Sequence, residues 1–260
     1  MFYPKVYFKG EEKMKEEIQN AQMSEIATIG NVFFEPGKTF ESLRQNPRFI
    51  LGTIILCLLT FVFSISFAQK IGEEGYKRFF IEMNAKNPQI SALSAEERER
   101  IIESQIKLTR LSNYFSPVFM VLYLAIGGLI TWLVAKSMGS NASYLQSFCL
   151  WLYSNLPPGI VFTLANLIVL FFRPQSEINV IDQQKGLVAG NLSFLVSKDS
   201  PTLETLVASF DLFILWGWIL FAIGLQKIAI LSSASAWTIT AVLFLIASSF
   251  KVISAFLFSA

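Results

Sequence analysis

The chain of 260 residues contains no histidine. That absence removes H-E-x-x-H zinc sites, imidazole general bases and Ser–His pairs in one stroke. No G-x-S-x-G elbow, P-loop or Rossmann fingerprint is present either. Only two cysteines occur, Cys57 and Cys149, and both lie inside apolar runs. They read as small buried hydrophobes, with no disulfide or metal role. Charge is scarce as well: 15% of residues are charged, and the net charge is +2 from mixed clumps. So little charge does not cover a soluble globule, and no basic face suits nucleic acid. An enzyme is not expected, and neither is a cofactor.

What the chain has is oil. Hydrophobic residues make up 53%, with 25 Phe and 5 Trp. Charges gather in residues 1–48, in 69–110 and thinly in 173–204; the runs between them are long enough to cross a bilayer. The pattern predicts an all-α polytopic membrane protein. Five transmembrane helices are expected near residues 50–68, 116–135, 150–172, 210–226 and 237–258. One interfacial helix precedes the first span, and a helical loop joins spans one and two. Residues 1–30 read as a polar tail and 31–260 as the membrane domain. The first 31 residues lack the apolar core of a signal peptide, so the first span is expected to direct insertion. Lys and Arg are almost evenly divided between alternate loops, and the positive-inside rule gives no orientation.

Three stretches carry the detail. Pro36 suits a helix start and Asn46-Pro47 its end, with Phe33, Phe40 and Leu43 on one face and Lys38, Glu41 and Arg44 elsewhere. This helix is expected either at the membrane surface, with Phe40 and Leu43 toward the acyl chains, or packed on protein. Ser94 and Glu97 form a capping box that opens a helix through the first loop. Ile101, Leu108 and Phe115 repeat there every seven residues, with Ile102 and Leu111 nearby. That stripe fits a short coiled coil or a helix folded back on the membrane domain.

The third stretch is "WLYSNLPPGIVF", where Pro157 and Pro158 interrupt an apolar run. The piece after them is about 14 residues, near 21 Å as a helix, too short for a hydrocarbon core of about 30 Å. The prolines are therefore expected within membrane depth, or at its edge, as a kink. Tyr153 and Asn155 are the nearest candidates to satisfy the freed carbonyls. A ligand cavity at the kink is the alternative. Asn166, Ser248 and Ser249 are further polar groups within spans. In the last hairpin, Asp211 and Lys251 fall at equal residue counts from the turn. They are expected to pair, or else to snorkel separately.

The order of these motifs carries a resemblance. P-x-x-T-F-x-x-L-x-x-x-P (Pro36, Thr39, Phe40, Leu43, Pro47) precedes the first span. Y-L-Q-S-F-C-L-W-L-Y-S-N-L-P-P follows the second. D-L-F-I-L-W and I-G-L (Asp211, Phe213, Trp216, Gly224) open and close the fourth. Over residues 33–258 the chain resembles the bacterial branch of the Yip1 domain family. The resemblance implies a five-helix protein of the bacterial inner membrane, with a cytoplasmic N-terminus and the C-terminus outside. Eukaryotic relatives act in vesicle traffic with Rab GTPases. Their Tyr-Gly motifs are matched here only by Tyr153-Ser154 and Pro157, so that partner does not carry over. The expected function is non-enzymatic: organising or shaping the bilayer, or recruiting other membrane or cytoplasmic proteins. A small-solute transporter or channel built on the broken third helix is the alternative.

Overall fold

The computed structural model describes residues 23–85, 87–181, 183, 186–188, 190–191, 193, 196 and 201–258, and these are all-helical. In chain order the longer helices are α1 (Glu25–Phe34), α2 (Pro36–Gln45), α3 (Ile50–Ala85), α4 (Ala95–Tyr114) and α5 (Ser116–Ser137). They continue with α6 (Tyr144–Phe172), α7 (Pro201–Ala208), α8 (Leu212–Lys227) and α9 (Ser233–Phe258). The helices α3, α5, α6 and α9 are long and apolar enough to cross a membrane. The expected fourth span is different. At 16 residues, α8 is about 24 Å long and short of the hydrocarbon core. It crosses only together with α7, from which it is bent by 51° at Ser209–Asp211. Counted as one broken span, the pair gives five crossings.

The polar tail expected to end at residue 30 gives way earlier to helix. Ser24 caps α1 by accepting from Ala27 N at 3.2 Å, and Thr28 and Val32 are buried. Residues 1–22 lie outside the described residues.

The core at the N-terminal face is built on α6. Leu150, Leu152 and Leu156 meet Phe40 and Leu43 of α2, Leu56 of α3, Leu124 of α5, and Phe221 and Leu225 of α8. Phe40 and Leu43 are fully buried, so of the two expected settings for this helix the protein-packed one holds. Apolar periodicity tells which face of α2 is covered; it does not tell by what. Close approach of α5 to α6 depends on Gly128. A Cβ there would stand 2.9 Å from Phe148 Cα.

A second core lies at the far end. The first span does not stop near residue 68 but runs on through Gly72, whose backbone (φ 65°) divides α3 into two helices. The outer half pairs with α4, burying Tyr76 and Phe80 against Ile102 and Ile106. The capping box forms as expected, with Glu97 N donating to Ser94 Oγ at 3.3 Å and Ser94 N to Glu97 Oε2 at 3.0 Å. The stripe does not fold back: Leu108 and Phe115 are exposed, and α4 buries Ile102, Ile106 and Asn113 instead. The buried row advances by four and then seven residues, so it runs beside the stripe on the neighbouring face of the helix.

Candidate functional site

The site singled out by the sequence lies along α6 and across the broken fourth crossing. Ser143 and Gln146 form a capping box at the start of α6, and Gln146 Nε2 donates to Arg44 O at 2.6 Å, tying α6 to α2. From there α6 runs as one helix through both prolines to Phe172. Pro157 and Pro158 have no N–H for the carbonyls of Tyr153 and Ser154 four residues back.

The expected donors do not serve these carbonyls. Asn155 Nδ2 donates to Trp151 O at 2.8 Å, and its Oδ1 accepts from Tyr123 OH at 3.0 Å, joining α6 to α5. The hydroxyl of Tyr153 is buried without a partner among the described residues. The Ser154 carbonyl faces α8 instead, at Gly217, where a Cβ would sit 3.4 Å from the oxygen and 3.6 Å from the Pro158 ring. Pro158 and the Ser154 carbonyl thus form the surface that α8 meets at Gly217. Both prolines are buried.

The other singled-out residues divide into two groups. Pro36 is the first residue of α2, and Pro47 lies in the α2–α3 connection. Phe40 and Gly224 meet: a Cβ on Gly224 would lie 2.8 Å from Leu150 Cγ and 3.3 Å from Phe40 Cε1. Trp216 stacks edge-on with Phe33 of α1, ring centroids 6.0 Å apart. These residues clamp the α1–α2 pair onto α6 and α8.

The expected Asp211–Lys251 pair is not formed. Asp211, 6% exposed, caps α8 through Phe213 N at 2.9 Å. Its other oxygen accepts from Gly190 N at 2.8 Å and Asn191 Nδ2 at 3.0 Å, while Leu212 N donates to Gly190 O at 3.0 Å. Lys251 is exposed on α9. Counting residues from the turn gives depth and leaves the facing of each side chain open: Asp211 turns to its own helix start and the folded-back segment, and Lys251 stays outside.

Sequence reasoning missed the segment that Asp211 holds. After α6 the chain folds back on the outer half of the bundle. Asn166 Oδ1 accepts from the backbone N–H groups of Leu187 and Val188, and its Nδ2 donates to Phe162 O at 2.8 Å. Gln175 Nε2 donates to Ile71 O, at the Gly72 break, at 3.0 Å. Gln183 Nε2 donates to Asn113 Oδ1 at 2.8 Å, and Asn113 Nδ2 to Tyr76 OH at 3.3 Å. The available signal was Asn166 and Asp211 themselves, polar groups in apolar surroundings that need partners.

At the opposite, N-terminal face, the α5–α6 and α8–α9 turns and the end of α2 enclose a cleft of about 460 Å³. Arg44, Asn141 and Gln146 line it beside Ile228 and Ile230. Ile230 takes the left-handed conformation at φ 57°, a strained choice for a β-branched residue. Among the described residues, no group of three or more Cys, Asp or Glu could hold a metal ion. The arrangement supplies packing, capping and anchoring.

The chain is 24% identical over 229 residues to a protein of Bacillus subtilis (strain 168) called membrane protein YknW, covering 88% of this chain and 90% of that one. No solved structure matches at a significant level. The Yip1 domain profile matches residues 30–255, from within α1 through most of α9, and takes in every junction described above; the chain belongs to the Yip1 domain family of membrane proteins.

Proposed function

We propose that this protein is a non-enzymatic membrane organiser that acts on the bilayer and through proteins gathered at its N-terminal face. In this reading it sits in a bacterial inner membrane, with that face cytoplasmic and the C-terminus outside. The observation that carries the proposal is the α1–α2 pair. The second helix is clamped into the bundle by Phe40 and Leu43, while α1 turns Ile26 (76% exposed) and Phe34 (85% exposed) outward, with Gly30 between them on the same face. An apolar helix face fixed at one end of a bundle enters one leaflet only, as interfacial helices do, and spreads that leaflet relative to the other. In this reading α1, one helix before the one expected from the sequence, lies at the membrane surface. Support for this reading over a transporter comes from the double proline, which is buried against α8.

The test is reconstitution into vesicles at increasing protein-to-lipid ratio, with diameters read by electron cryomicroscopy. Wild type is expected to shift vesicles to smaller diameters, and a variant carrying Ile26→Asn and Phe34→Asn is expected not to. Equal diameters for both proteins would overturn the proposal. Faster permeation of a small neutral solute through the wild-type vesicles would favour the transporter.

A further inference from the structure

The apolar stripe on α4 has no partner within the molecule and does not end where α4 ends. Leu108 (68% exposed) and Leu111 (54%) face away from the bundle, and Phe115 (49%) follows at the junction with α5. Val118, Leu122, Leu129 and Leu133 continue the line along α5, all of them exposed. From Ile101 to Leu122 the positions advance by three and four residues alternately, with Ser104 the polar member; beyond it half-buried Ala125 fills the next place, and Leu129 and Leu133 follow at steps of four. The buried residues keep the same phase across the junction: Ile102, Ile106 and Asn113 on α4, then Ser116, Leu124, Gly127 and Thr131 on α5. The stripe therefore lies on the side opposite the protein core throughout.

Lipid accounts for an apolar face on α5. It does not account for Leu108 and Leu111, which precede the span, belong to a helix rich in Glu and Arg, and lie beyond the apolar run. Exposed apolar rows of this kind mark contact surfaces.

We infer that the outward stripe of α4 and α5 is the seam of a parallel homodimer, with the two copies side by side in one membrane. Register and area select a second copy. Two copies inserted the same way meet in parallel about an axis normal to the membrane, and an isologous contact brings each stripe position against itself. In that register Arg100 faces Gln105 of the other copy and Lys107 faces Ser112, so no like charges oppose across the flanks. The area is sufficient too. Counting at most ~200 Å² for each large side chain, the exposed fractions of these seven residues from Leu108 to Leu133 leave up to roughly 740 Å² per copy, close to the standard size for a specific interface. A groove of about 320 Å³ beside Ile101 and Leu108 gives the facing side chains room to enter.

Disulfide trapping in native membranes tests the seam, with the full chain and Cys57 and Cys149 replaced by Ala. Leu111→Cys is expected to form a covalent dimer on mild oxidation. Glu99→Cys, on the side of α4 that meets Lys77, is expected to give at least tenfold less. A second measurement is mass in nanodiscs wide enough for two copies. Wild type is expected as a dimer, and a variant carrying Leu108→Gln and Leu111→Gln as a monomer with unchanged helical content. Equal trapping at both positions would overturn the inference. So would trapping at Leu111→Cys to a different protein alone, or a wild-type monomer in the nanodiscs.

Discussion

Replacing Gly128 by Ala tests how α5 and α6 are joined. Two terms compete. Inside a helix, Ala is worth about 0.5–1 kcal/mol more than Gly through backbone entropy and propensity. Against this, the new methyl would stand 2.9 Å from Phe148 Cα and 3.2 Å from Phe148 Cβ. The first of these is backbone and cannot rotate away. Phe148 is itself held by the Phe49 ring at 5.7 Å, so the helices must separate. Forcing a methyl into a packed contact costs about 1–3 kcal/mol. The expected net is therefore a loss of up to about 2.5 kcal/mol. Gly30 provides the control. It lies on the exposed face of α1 with nothing within 4 Å of a built Cβ, so Gly30→Ala carries only the favourable term. Thermal denaturation in detergent, followed by size-exclusion chromatography after heating, should show the midpoint falling for Gly128→Ala and rising slightly for Gly30→Ala. If Gly128→Ala rises as Gly30→Ala does, the helices are not in backbone contact and the account of this interface is wrong.

Other outcomes follow from named contacts. Ile230→Gly removes a left-handed strain of about 1–2 kcal/mol at a side chain that packs little. It should raise the thermal midpoint, and a lower midpoint would show that Ile230 makes contacts outweighing its strain. Asp211→Ala should cost about 2–4 kcal/mol, because it removes the α8 cap and leaves two donors of the folded-back segment unmet. Asp211→Asn and Lys251→Met should be additive within about 0.5 kcal/mol in a double-mutant cycle; measurable coupling would restore the pair that the structure breaks. Hydrogen bonds from the Ser94 hydroxyl and backbone N–H hold the Glu97 carboxyl below the usual carboxylate range. A depressed folded value means that its contribution is complete above the unfolded value of about 4.3 and is lost as pH falls through the folded one. Amide protection at the start of α4 should thus hold down to that pH and decline below it in wild type, with no such decline in Glu97→Gln.

The parts of the fold that local chemistry dictates were legible. Long uncharged runs announced α3, α5, α6 and α9, and Ser94 with Glu97 located the start of α4 to the residue. The misreadings have a common cause: composition was allowed to stand for pattern. Ile26 and Ile29 stand at helical spacing ahead of Phe33, yet the polar residues around them read as tail. Ile71, Tyr76 and Phe80 line a buried helix face, but the charges among them read as loop. Partners far apart in sequence were not legible at all. Asn166 reaches Leu187, and Asp211 reaches Gly190, through a fold-back that no window of the sequence contains. In the candidate site, the prolines and the two carbonyls they free are legible in the sequence, but Asn155 and Tyr153, the donors expected for them, do not serve. That α8 answers with Gly217 is a property of two helices together.

The break between α7 and α8 bears on where such a protein settles. Most of its crossings have a fixed hydrophobic length, set by helices of 22 residues or more. The fourth is assembled from a 16-residue helix and a short segment that meets it at 51° and packs on α9. Alone, α8 falls about 6 Å short of the hydrocarbon core, and α7 has to supply the rest. Hydrophobic mismatch costs only fractions of a kcal/mol per ångström, yet it sorts proteins among membranes. A crossing closed by an angled segment reaches less depth than a straight helix of equal length, so the α7–α8 break is the place where a mismatch with bilayer thickness falls first.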